Sequence, residues 1–332
     1  MSFIFESLFC LVGLGLFLVL VMALLSPLEA LGWWAGWSAR DISPSSPAGS
    51  PTLPTTGQPQ PGKHYVIYLT AIGGISAADI SGRERSFLAK LSALVPGTVI
   101  VDDVFPFSVT NNPLNGERPL AWLWQRIHNS RMRGRGALIS GLIFVRNLLQ
   151  VAVSADPRYG PIYNVGVARE LAKSLLAHGY PAGSGQPITI MGWSGGGQIS
   201  VGTARYLHQA FAAPITVISI GGVIADEPGI ADVAHLYHLN GSRDPAPHLI
   251  GLLWPGRWPL LRYSAWNRAI QAGRITNIDT GPMKHTGRED YFDRKSTLPD
   301  GQTYADRTVS IIAGIIAGEA AHGTGSLLPE TT

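Results

Sequence analysis

Ile188-Thr189-Ile190-Met191-Gly192-Trp193-Ser194-Gly195-Gly196 is the stretch on which the reading of the chain turns. Ile188–Met191 is a short apolar run, mostly β-branched, and reads as a strand buried on both faces. Gln198 to Phe211 carries a helical pattern. Between them lies Gly-x-Ser-x-Gly. A serine at so sharp a strand-to-helix turn projects its hydroxyl outward from a strained backbone. Side chains two positions to either side would collide there, so Gly192 and Gly196 are what the geometry requires. The helix beginning after Ser194 adds its N-terminal dipole, and the Gly195 amide can face a developing oxyanion. Trp193, beside the serine, is a candidate substrate-contacting residue. The bare pattern is common in a chain with 39 glycines; its place between a buried strand and a helix gives it weight.

Working outward, the same alternation recurs. Tyr65–Leu69, Thr98–Val101, Ile215–Ile220, Ala234–Leu239 and Arg274–Ile278 read as further strands. Ser81-x-x-Glu84 is a capping box that opens a helix with Phe87, Leu88, Leu91 and Leu94 on one face. Ile162–His178 is helical, with Val165, Leu171 and Leu175 in phase and Gly179 as its cap. A last helix runs from about Tyr304 to Glu319 and buries Val309, Ile312 and Ile316. Strands separated by helices argue an α/β fold: a mostly parallel sheet with helices on both faces. The links after Ile220 read as short.

Two further loops carry chemistry. Asp244, in Asn240-Gly241-Ser242-Arg243-Asp244-Pro245, follows a strand and is placed to orient an imidazole. The same residue is also an ordinary turn-former before proline, and Asp226 and Asp232 are fallback acids. Of nine histidines, only His285 lies in a loop just past the last expected strand. His235 and His238 are three apart on one strand, face opposite ways, and make a poor metal pair.

Between Asp103 and Ile162 the alternation breaks, and residues 104–160 are a candidate cap insertion. It includes Leu120-Ala121-Trp122-Leu123-Trp124 and an apolar segment, Ala137–Val153, interrupted by Arg146. Residues 117–158 hold seven arginines and two acids, the whole positive excess of residues 63–332. Such a segment either lies on an anionic bilayer or packs on the body with its arginines solvated.

Residues 1–40 read as a membrane anchor. Ser7–Leu25 is nineteen residues without a charge, a span of about 28 Å as a helix, close to a bilayer's hydrocarbon core. A cleaved signal fits poorly, since Glu6 sits where positive charge is expected. Trp33, Trp34 and Trp37 resemble an interfacial aromatic belt. Arg40 alone cannot fix which side of the membrane the body faces. Residues 41–62, rich in Pro, Ser, Thr and Gly, form an extended spacer. The folded unit is expected over 63–322 and a tail over 323–332.

Composition agrees with a folded body on a tether. The 332 residues are 45% hydrophobic and only 14% charged, too apolar for disorder. A net charge of +3 argues against nucleic-acid binding. The single cysteine, Cys10, excludes a disulfide or a cysteine metal site within one chain.

Residues 63–320 resemble the α/β-hydrolase superfamily, esterases and lipases among them. The Gly192–Gly196 turn, the acid loop at Asp244 and His285 after the final strand follow its order Ser…Asp…His. The resemblance implies a Ser194–His285–Asp244 triad cleaving acyl esters, lipid esters included, with no metal or organic cofactor. Thioesterase, peptidase and acyltransferase chemistry would use the same three residues. It also implies a second oxyanion-hole amide after the first strand, at Ile72 with Gly73 as alternate. Here Leu69-Thr70-Ala71-Ile72-Gly73-Gly74 replaces the family's His-Gly turn. That departure is the feature a catalytically silent binding protein on the same fold would share.

Overall fold

The computed structural model describes residues 2–35, 58, 60, 63–111, 114, 126 and 137–325. Most of the spacer, the Leu120–Trp124 stretch, Trp37 and most of the insertion's arginines lie outside them.

Among the described residues six strands form one sheet: β1 (His64–Leu69), β2 (Thr98–Val101), β3 (Ile188–Trp193), β4 (Ile215–Ile220), β5 (His235–Gly241) and β6 (Ile275–Gly281). Their order is β2-β1-β3-β4-β5-β6 and every pairing is parallel. Parallel neighbours need crossovers, and the helices supply them. These are α2 (Gly82–Leu94), α3 (Ala137–Ala155), α4 (Gly160–Ala177), α5 (Gly195–Phe211), α6 (Ala246–Leu253), α7 (Ala265–Gln271) and α8 (Tyr304–Gly325), with α1 (Ser2–Trp34) ahead of the sheet.

The strands read as near-continuous apolar runs because both faces are covered. Tyr65, Ile67 and Leu69 join Ile188, Ile190, Ile215 and Val217 in the layer under α3, α4 and α5. Val66 and Tyr68 join Met191, Ile218 and Ile220 under α2 and α8. In the capping box of α2, Ser81 Oγ accepts from the Glu84 amide and Glu84 Oε2 accepts from the Ser81 amide at 3.0 Å. Leu94 departs from expectation. At the frayed end of α2 it is half-exposed, because Val95-Pro96-Gly97 turns the chain away before its face reaches the sheet. Val309, Ile312 and Ile316 of α8 are fully buried, and the helix runs six residues beyond Glu319, where the sequence pattern ended it.

The links after Ile220 are not all short. Between β5 and β6 run residues 242–274, which hold α6, a 3₁₀ turn at Pro255–Arg257 and α7. Turn-rich Trp-Pro-Gly and Pro-Leu-Leu-Arg sequences hid two short helices whose patterns were too brief to count.

α1 is 33 residues long, about 50 Å at ~1.5 Å per residue, more than a bilayer's hydrocarbon core. Its segment Gly13–Trp34 is long and apolar enough to cross a membrane. The C-terminal turns dock on the body. Glu29 pairs with Arg146 of α3 at 2.5 Å, Gln150 Nε2 donates to the Ser26 carbonyl, and Ala30 is buried. Trp33 is therefore not a free interfacial ring: it is half-buried against the core, with the Arg169 guanidinium 5.7 Å from its centroid. Trp34 is exposed.

The described part of the insertion packs on the body. Phe105, Phe107, Val109, Leu114, Ile143 and Val151 are buried in the main core. Arg146 donates to the Phe107 carbonyl as well as pairing with Glu29.

Candidate active site

The strand order reverses direction between β1 and β3: from β1 the chain steps outward to β2, then back across to β3. In open parallel sheets such a switch leaves a crevice beyond the strands' carboxyl ends, because flanking crossovers depart to opposite sides. Ser194 stands at that point, between β3 and α5.

Its backbone is strained. At φ 54°, ψ −120° it lies in a region that L-residues rarely adopt. Hydrogen bonds over-determine it: the Ser194 amide donates to the Ile220 carbonyl at 3.1 Å, and its carbonyl accepts from Gly197 and Val223. The flanking glycines are needed for space. A Cβ on Gly192 would lie 2.4 Å from the Gly196 carbonyl oxygen, and one on Gly196 would lie 2.5 Å from that of Leu69.

The three side chains named from the sequence form one hydrogen-bonded chain. Ser194 Oγ lies 2.8 Å from His285 Nε2, and His285 Nδ1 lies 2.9 Å from Asp244 Oδ2 and 3.0 Å from Oδ1. An imidazole protonated at Nδ1 donates to Asp244 and leaves Nε2 to accept from the serine. Asp244 is fully buried, and Ser194 is 5% exposed. The carboxylate is further satisfied by the Ala246 amide at 2.9 Å and the Tyr291 hydroxyl at 2.8 Å. Tyr291 in turn accepts from the Gly241 amide. Burial, then the neighbouring Asp244, pushes the Tyr291 phenol far above its ordinary range, so it remains a donor. The fallback acids are elsewhere: Asp226 accepts from the Trp266 amide and Asp232 pairs with Arg205.

Ile72 and Gly195 are neighbours. A Cβ on Gly195 would meet Ile72 Cγ2 at 2.6 Å and Val151 Cγ2 at 2.8 Å. The loop after β1 is held from two sides. Asn147 of α3 donates to the carbonyls of Ile72 (2.9 Å) and Gly74 (2.8 Å). Thr70 donates to buried Glu84 at 2.6 Å. The His285 loop is likewise tied down, for Arg83 donates to the Gly287 carbonyl and pairs with buried Asp290 at 2.9 Å.

Trp193 points the other way from this cluster of groups. Its ring packs 4.7 Å from Phe292 in the layer under α2 and α8, 7% exposed, as alternation along β3 dictates for the residue after Gly192.

No family model matches the chain, and no curated protein matches it.

Sequence reasoning missed Tyr291, Asn147 and the second role of Glu84, which accepts from Tyr68 and Thr70 as well as capping α2. For Asn147 a signal existed: Arg146-Asn147 is the polar interruption of an otherwise apolar run. Tyr291 had none, since a tyrosine six residues past a histidine has no local signature. Among the described residues no group of three or more His, Cys, Asp or Glu is arranged to hold a metal ion. A cavity of about 400 Å³ lies apart from Ser194, between Asn164, Tyr206, Glu227 and Trp254.

Proposed function

We propose that this chain is a membrane-anchored serine hydrolase of the α/β-hydrolase type, acting on acyl esters. What carries the reading is the continuous path Ser194 Oγ to His285 Nε2 to Asp244 at hydrogen-bond distances. It is supported by the all-parallel sheet and by the order in which nucleophile, acid and base follow β3, β5 and β6. The unit 63–322 is the catalytic domain, with 104–160 as its cap and 1–40 as the tether through α1.

In this mechanism Ser194 Oγ attacks the acyl carbon while His285 Nε2 takes its proton. Asp244 fixes the ring's tautomer and steadies the imidazolium. The tetrahedral oxyanion receives hydrogen bonds from the Gly195 and Ile72 amides, each donor contributing about 2.7–4 kcal/mol. Collapse breaks the ester C–O bond and the leaving alcohol takes the proton back from His285. A water, activated by the same imidazole, then releases the carboxylic acid and regenerates the serine.

Labelling with a fluorophosphonate probe and an ester hydrolysis assay test the reading together. Wild type labels and turns over, and Ser194→Ala does neither. An alanine variant that hydrolyses esters as fast as wild type refutes it.

A further inference from the structure

The link between β5 and β6 exposes apolar side chains that the body does not use. α6 reads Ala246-Pro-His-Leu-Ile-Gly-Leu-Leu253, and of its eight residues only Pro247 is buried. Leu249, Leu252 and Leu253 are exposed on it, and Trp258, Leu260 (85%) and Tyr263 (91%) on the turn that follows. Soluble surfaces seldom gather so many large apolar groups in one segment.

The exposure is built rather than slack. Trp258 Nε1 donates to the Leu252 carbonyl at 2.9 Å. Asn267 Nδ2 donates to the carbonyls of Trp258 (2.8 Å) and Leu261 (2.9 Å). Arg257 donates to the Ile224 carbonyl and stacks 3.4 Å over the buried Trp266 ring. The backbone of the loop is thus pinned to the body while its leucines point away.

Charge says what covers them. From Ala246 to Gly273 there is no aspartate or glutamate, and of the three arginines Arg257 is turned inward while Arg262 and Arg268 are exposed. Leucine, tryptophan and tyrosine with arginine and no acid is the composition that settles at an anionic lipid surface. A second copy fits worse: a self-complementary contact would set this acid-free cationic segment against itself.

Position agrees. Ser26 of α1 is bonded to Gln150 of α3, and Glu29 to Arg146, so the two helices run antiparallel. The exposed apolar turns of α1 with Leu14, Phe17 and Leu20 therefore project past the C-terminal end of α3. That end, at Ser154–Pro157, shares one cavity wall with Trp254, Pro255 and Gly256. The apolar part of α1 and the 246–263 segment therefore both approach that cavity.

We infer that residues 246–263 form a second membrane contact, seating α6 and the Trp258–Tyr263 turn in an anionic phospholipid surface beside the α1 anchor. α6 begins two residues after Asp244, whose carboxylate accepts from the Ala246 amide. Seating it brings the Asp244 loop, and with it the Ser194–His285 pair, toward the bilayer, where acyl esters reside. The inference shares the anchor with the proposed function but owes nothing to the chemistry at Ser194.

The test uses the full chain in nanodiscs holding one copy each, of phosphatidylcholine with or without phosphatidylserine. In a Cys10→Ser background, Leu252→Cys, Leu260→Cys and, as control, Lys173→Cys carry an environment-sensitive fluorophore. Lys173 is exposed on α4, one turn beyond the Arg169 contact with the far end of α1. Emission at 252 and 260 should shift blue, with quenching by spin-labelled lipid several-fold above that at 173 and stronger with phosphatidylserine. Quenching equal at all three positions overturns the inference and leaves the hydrolase reading standing. A blue shift at 252 and 260 that lipid quenchers do not reach means that protein covers them, and also overturns it. A full chain that fails to associate with the discs at all defeats both the docking surface and the anchor. Loss of ester hydrolysis in Ser194→Ala is read separately and bears only on the proposed function.

Discussion

Ser194 combines a reactive position with a conformation that its own Cβ opposes. At φ 54° a glycine sits without penalty, whereas any L-residue carries about 1–3 kcal/mol of strain. Ser194→Ala and Ser194→Gly both lose the hydroxyl and its bond to His285, but only glycine releases the strain. The glycine variant should melt higher than the alanine variant, by about 1 kcal/mol or more in thermal or urea unfolding, with both inactive. Equal stability would mean that the turn is not strained in solution. Tyr291 invites a similar comparison. Tyr291→Phe removes a donor from Asp244 and the acceptor of the Gly241 amide, both buried, at a cost of about 1–3 kcal/mol. Ester hydrolysis by Tyr291→Phe should fall in kcat more than its folded fraction does, which a purely structural tyrosine would not cause.

α3 is the part of the insertion that reaches the site, and it acts through backbone carbonyls. Asn147→Leu keeps the side chain's bulk but leaves the Ile72 and Gly74 carbonyls buried without their donor, costing about 1–3 kcal/mol. If the Ile72 amide serves the oxyanion, this variant should lower kcat with KM little changed, read by steady-state kinetics on a soluble ester. The sequence showed the α/β alternation because strands covered on both faces are nearly pure apolar runs, and all six began within one residue of their expected starts. It showed Ser194, Asp244 and His285 because each follows a strand end, a property visible along one dimension. It did not show Tyr291, or the bonds from Glu84 to Tyr68 and Thr70, because these contacts exist only across the fold. It also misjudged Trp33, since nothing local distinguishes a ring at a lipid interface from one docked on Arg169. α6 escaped because eight residues are too few for a period to declare itself.

Two buried titratable groups away from Ser194 each tie the stability of the fold to pH, and they pull in opposite directions. Burial raises the Glu227 carboxyl from its ordinary 4.5 to about 7, even though Gly229 and Gln198 donate to it. The folded state therefore holds a proton that the unfolded chain releases first. That contribution is complete below about pH 4.5 and is lost as pH rises through about 7. Burial, aided by Arg257, lowers His238 from 6.5 to about 3. Its neutral ring, bonded to Ser219 at 3.1 Å, contributes fully above about pH 6.5, and that contribution is lost as pH falls toward about 3. Where the windows overlap, between about pH 4.5 and 6.5, each group imposes a slope of about 1.4 kcal/mol per pH unit with opposite sign. From these two groups the wild-type protein should be nearly flat there in a melting-temperature series. Glu227→Gln unmasks the histidine, so stability should climb with pH across the window. His238→Gln unmasks the glutamate, so stability should fall. Two variants with the same slope as wild type would mean that neither group is held out of water, and that the core beneath α5 is wetter than its burial implies.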